Sequence, residues 1–135
     1  MSKFARKAKE MLDEASRMLM AHDLYVADFY ESRDKPRAVA WRIEHIINAY
    51  PEVAKTKENI WRLAKSYEAA ADFSDAKRAY ALYLATFPDA QRSSEIEKRI
   101  DEMQQKLDQE LKDAAEQDAS TTTTTPAPNG SAAQP

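Results

Sequence analysis

The sequence predicts an all-α fold of about five helices, arranged as stacked helical hairpins, and three observations carry that expectation. Glycine occurs once, at Gly130, and ahead of residue 100 the prolines are Pro36, Pro51 and Pro88. Tight strand-to-strand turns use glycine or Asn-Gly to reach positive φ, and the first such pair is Asn129-Gly130. Between the prolines, apolar residues recur at the three-and-four spacing of a helix face. The third observation is an internal repeat.

The elements follow in chain order. Phe4, Ala8, Met11, Leu12, Ala15, Met18, Leu19, Val26, Phe29 and Tyr30 predict one long helix. Asp34-Lys35-Pro36 ends it, because proline favours a first helical position and disfavours helix in the residue before it. A second helix should run to about Tyr50, where Pro51 stops it. Thr56 opens a third, with Ile60, Trp61, Leu63, Ala64 and Tyr67, lasting to about Ala71. Ser74 suits the N-cap of a fourth, which carries Ala76, Ala79, Tyr80, Tyr83 and Leu84 and ends at Pro88. Ser94 and Glu97 have capping-box spacing ahead of a fifth helix with Ile96, Ile100, Met103, Leu107 and Leu111, expected to reach about Ala115. Residues 118–135, rich in Thr, Pro and Ala, are expected to be a disordered tail after a helical domain spanning 1–117.

Shifting the sequence by 37 residues aligns Ala27 with Ala64, Tyr30 with Tyr67, Ile47 with Leu84, Tyr50 with Phe87 and Pro51 with Pro88. Small residues let paired helices approach, and large ones fill the gap a turn away. In the second unit Ala64, Tyr67, Ala76, Tyr80 and Pro88 fall at the small, large and terminating positions of a tetratricopeptide repeat. In the first, Ala27, Tyr30 and Pro51 match while Val39 replaces the usual small residue. The fold class is therefore a short α-solenoid with repeats at about 20–51 and 57–88. Two repeats bury a continuous core only if capped, so the segments before and after them are expected to act as caps; otherwise an apolar face stays open.

Composition narrows the function classes. A formal charge of −3 lacks the overall basic footprint that phosphate binding needs, so no nucleic-acid partner is expected. With no cysteine, disulfides, thiolate metal sites and cysteine nucleophiles are excluded within this sequence. His22 and His45, the only histidines, lack an i+4 ligand partner, so no metal or cofactor is expected. No phosphate-binding glycine loop and no Ser/His/Asp order points to a reaction, and the chain is expected not to be an enzyme. The basic start is not followed by the apolar run of about 7–15 residues of a secretory signal. Lys3, Arg6, Lys7, Lys9 and Arg17 outnumber Glu10, Asp13 and Glu14 by two, which offers an anionic-lipid contact, although a solvated face is the simpler reading. Residues 95–118 carry nine acidic against four basic side chains, the mark of a wet face; their apolar stripe is too short for a coiled coil and suits a capping helix.

The run Ala21-His22-Asp23-Leu24-Tyr25-Val26-Ala27-Asp28-Phe29-Tyr30, with Arg33, Ala38, Trp41-Arg42-Ile43-Glu44 and Tyr50-Pro51, resembles the C-terminal repeats of BamD. That family comprises outer-membrane lipoproteins of the β-barrel assembly machinery of Gram-negative bacteria. The resemblance spans roughly residues 5–90. It implies the C-terminal half of a non-catalytic periplasmic scaffold, held at the membrane only indirectly. Its implied partners are the last periplasmic POTRA domain of the barrel subunit BamA and other lipoproteins of the machinery. The arginine of the family's Arg-hydrophobic-Glu motif lies at the BamA contact, which nominates Arg42, with Trp41, Glu44 and Arg33 around it. The alternative is a generic repeat adaptor that grips an extended peptide or partner protein. Trp41 is the aromatic residue most open to an interface role, since indole is favoured at binding hot spots.

Overall fold

A computed structural model describes residues 2–122, and helix is the only regular secondary structure among them, without a strand. Among the described residues six helices occur in order: α1 (Lys3–Ser32), α2 (Pro36–Ala49), α3 (Pro51–Ala54), α4 (Lys57–Ala69), α5 (Phe73–Thr86) and α6 (Ser93–Thr122). Each long helix packs on the next along the chain, α1 on α2, α2 on α4, α4 on α5 and α5 on α6, and the one-turn α3 wedges against α1 and α2. This is an all-α, tetratricopeptide-like solenoid.

Helix ends show how the repeat is built. At the end of α1 the amide of Lys35 donates to the Tyr30 carbonyl at 3.0 Å and that of Asp34 to Glu31 at 3.0 Å. At the end of α4 Asp72 donates to Tyr67 at 2.9 Å and Ala71 to Glu68 at 3.0 Å, the same Schellman pattern one period later. The left-handed residues that turn the chain are Asp34 (φ 56°) and Ala71 (φ 60°), so both hairpins close without glycine. Tyr50 and Phe87 cap α2 and α5 with nearly equal φ, −132° and −131°. Thr56 accepts the Asn59 amide at 3.2 Å as the N-cap of α4.

Several boundaries differ from expectation. Pro51 opens the extra one-turn helix α3, in keeping with its missing N–H. Helix α5 begins one residue before Ser74: Asp72 stands at its N-cap, and the Asp72 carboxylate is taken by Arg37, whose Nε and Nη2 each donate at 2.9 Å. Ser94 lies inside α6, one residue past its start. That helix continues beyond Ala115 to Thr122, taking in residues 118–122 of the expected tail; the remainder of the tail lies outside the described residues.

The core runs through the stack. Ala27, Ala64 and Ala76 are fully buried, and around them pack Val39, Ile43, Ile46, Ile60, Leu63, Tyr67 and Tyr80. Tyr30 is half-buried where its counterpart Tyr67 is buried, because Tyr67 has α2 on one side and α5 on the other while Tyr30 stands at the edge of the stack. Pro51 and Pro88 are exposed, so they shape the repeat through the backbone and contribute little packing. Ile96 and Met103 of α6 are fully buried against the last hairpin. Helix α1 differs: the side away from α2 keeps Phe4, Met11, Leu12, Met18 and Leu19 exposed.

Candidate protein-binding surface

The sequence-nominated residues divide into an exposed edge and an internal tie. On the first turns of α2, Trp41 is 63% exposed although it is one of the largest apolar side chains of the chain. It borders two shallow hollows, one shared with Tyr30, Ala38, Arg42 and His45, the other with the α1–α2 turn and Ala70. Next to it Arg42 Nη1 donates to Asp23 Oδ1 at 3.2 Å. The Asp23 side chain is only 12% exposed and that of Arg42 is 42% exposed, so the guanidinium neutralises a near-buried carboxylate on one side and faces solvent on the other. Such an arginine is held in place without being used up, and its remaining N–H groups can meet a carboxylate or carbonyl of another chain. Arg33, also exposed, lies over the Phe29 ring at 4.6 Å from its centroid.

Glu44 is placed differently from the other three. Its carboxylate accepts a hydrogen bond from the Tyr67 hydroxyl and pairs with Arg78 of α5. Burial first, and then the Glu44 carboxylate, push the Tyr67 phenol above its ordinary pKa, so the hydroxyl stays a donor. Glu44 therefore joins the two hairpins to each other. The second hairpin has a similar tie: Tyr80 donates to Glu68 at 2.7 Å and Arg99 of α6 donates to the same carboxylate at 3.1 Å. Burial opposes the charge on Glu68, but these contacts and Lys65 outweigh it and hold its carboxyl below the ordinary value.

Sequence reasoning missed Asp23, which orients Arg42. Its signal was available, since Asp23 sits four residues before Ala27 on the buried side of α1, where an acid needs a partner. The histidines are both exposed, and no cluster of three potential metal ligands occurs among the described residues. No helix among the described residues is long and apolar enough to cross a membrane.

The edge assembled by these residues is polar around one exposed indole, the composition of a protein interface. Comparison with known families gives a match to the YfiO outer membrane lipoprotein family over residues 1–82. Comparisons with curated proteins and with solved structures gave no match. The matched span takes in α1, both partners of the Asp23–Arg42 pair, the first hairpin and most of the second, and the chain belongs to the YfiO, or BamD-like, family of outer membrane lipoproteins.

Proposed function

We propose that the chain is a non-catalytic scaffold of the outer-membrane β-barrel assembly machinery, corresponding to the C-terminal repeats of the family and acting at the periplasmic face of the outer membrane. Its partner is the periplasmic domain of the barrel subunit BamA, gripped by the Trp41–Arg42 edge of the first hairpin, with Arg33 alongside. The observation that supports this reading is the state of Arg42: anchored at 3.2 Å to Asp23, yet with a side chain 42% exposed beside an exposed indole. Glu44 serves the site indirectly, by fixing α2 against the next hairpin.

Removing one member of a desolvated interfacial charge pair costs about 2–5 kcal/mol. Arg42→Ala should accordingly weaken binding to a BamA periplasmic fragment by at least tenfold in calorimetry, and Trp41→Ala should do the same without disturbing the fold. Parent-like affinity in both variants rejects this surface. Retention of a soluble chaperone or enzyme in place of BamA in pull-downs from cell envelopes rejects the partner.

A further inference from the structure

Among the described residues three tyrosines are buried, Tyr67, Tyr80 and Tyr83. Two of their hydroxyls are used in the same way. Tyr67 donates to Glu44, which Arg78 also holds, and Tyr80 donates to Glu68, which Arg99 also holds. Tyr83 is only 5% exposed, yet no group among the described residues meets its hydroxyl. A buried hydroxyl without a partner is costly, so what surrounds it bears on what it binds.

Tyr83 lines a hollow of about 190 Å³ together with Lys57, Glu58, Trp61 and Arg92. Both cations are held by rings. The Arg92 guanidinium lies 4.3 Å from the centroid of the Trp61 ring, and the Lys57 ammonium 5.4 Å from that of Phe87. Stacking holds a cation in place and leaves its N–H groups free to donate. Neither Lys57 nor Arg92 forms an ion pair among the described residues, whereas Arg62, Lys65 and Arg99 on the helices beside them all do. Lys57 also opens α4, and the positive end of that helix adds to the potential at the rim.

We propose that this hollow takes the carboxylate of an acidic side chain on a partner polypeptide, with Tyr83, Arg92 and Lys57 donating to it and Trp61 as its wall. The contact repeats, with a carboxylate from outside, the tyrosine–carboxylate–arginine bridge that the chain builds internally at Glu44 and Glu68. Charge and size select the ligand. Lys57 and Arg92 against Glu58 leave one positive charge, which a single carboxylate neutralises. A phosphate group, at about −1.5 to −2, would exceed it. The hollow is smaller than the roughly 300–1,000 Å³ of sites that enclose a drug-sized molecule, and it suits one side chain. A chain terminus carries its own side chain beside the carboxylate and needs more room. The site shares no residue with the Trp41–Arg42 edge, so it stands apart from the reading of that edge.

The full chain, labelled with nitrogen-15, is titrated with N-acetylglutamate N-methylamide while the indole N–H signals of its two tryptophans, Trp41 and Trp61, are followed by nuclear magnetic resonance. The Trp61 signal should shift saturably at millimolar concentrations while that of Trp41 stays in place. The glutamine analogue, equal in shape and uncharged, should bind about tenfold more weakly, and Tyr83→Phe and Arg92→Gln should each weaken binding of the glutamate derivative about fivefold. Arg42→Ala should leave it unchanged, which separates this site from the BamA surface. Tyr83→Phe should keep a Tm at or above that of the parent, because its hydroxyl has no internal partner, whereas Tyr80→Phe should lower it. Absence of a Trp61 shift, equal binding of the glutamine analogue, tighter binding of N-acetylalanine or of inorganic phosphate, or parent-like affinity in Tyr83→Phe would each overturn the proposal.

Discussion

Replacing Glu44 by alanine separates an internal role from a direct one at the partner surface. The carboxylate has two partners of unequal weight. Arg78 is 52% exposed along its side chain, and an ion pair so open to water contributes about 0–1 kcal/mol. The Tyr67 hydroxyl belongs to a residue only 2% exposed, and a buried donor left without an acceptor costs about 1–3 kcal/mol. The hydroxyl dominates, and Glu44→Ala should destabilise the chain by about 2–3 kcal/mol, a fall in Tm of about 8–12 °C for a domain of this size. Tyr67→Phe removes the donor together with the need for an acceptor and should cost about 1 kcal/mol. Because the double variant has neither the acceptor nor a stranded hydroxyl, it should melt above Glu44→Ala alone and close to Tyr67→Phe. Thermal unfolding followed by far-ultraviolet circular dichroism measures all three. Full additivity, or a Glu44→Ala melt within about 2 °C of the parent, would refute the internal tie and return Glu44 to the partner surface.

Other outcomes follow from the same geometry. The Glu68 carboxyl sits below its ordinary value of 4.5 in the folded chain, so on acidification the unfolded state takes up the proton first. The stabilisation from Glu68 is then complete above that value and disappears as the pH falls through and below it; the Tm gap between parent and Glu68→Gln should be widest near neutral pH and close in strong acid. Ala71→Gly relieves a left-handed alanine and should raise stability by about 0.5–1 kcal/mol in urea unfolding. Ala64→Leu forces a larger side chain into a fully buried helix contact and should cost about 1–3 kcal/mol in the same assay.

What could be read from the sequence was what local chemistry writes into it. The buried alanines, the Tyr-Pro and Phe-Pro pairs and the N-cap at Thr56 each act over one turn of chain, and these placed α2, α4 and α5 to within a few residues. The hairpin turns were harder, because Asp34 and Ala71 adopt left-handed φ where glycine would have announced it. The N-cap of α5 was hidden for another reason: Asp72 is recruited by Arg37 from 35 residues away. At the candidate surface Trp41 and Arg42 could be nominated from the resemblance, but the internal use of Glu44 depends on Tyr67 and Arg78, which only the fold brings to it. The exposed apolar residues of α1 were read together with its core face, because three-and-four spacing does not tell the buried side of a long helix from its open one.

The cross-hairpin contacts themselves follow the repeat. Arg62 donates to Glu31 at 3.3 Å and Arg99 donates to Glu68 at 3.1 Å, and each member of the second pair lies 37 residues beyond its counterpart in the first. Arg99 thus places α6 in the slot that α4 fills one period earlier, with Asp101 where α4 has Ala64. The same offset equates Trp41 with Arg78. In the second hairpin that slot reaches back to the preceding unit, where Arg78 finds Glu44; in the first it holds an indole that is 63% exposed. One position of the repeat therefore serves as the grip on a neighbour, and at the first hairpin it is occupied by the residue type most suited to gripping a different chain. This equivalence supports, independently of family resemblance, the proposal of a partner surface at Trp41 and Arg42 over its counterpart on the second hairpin, where Arg78 is already engaged.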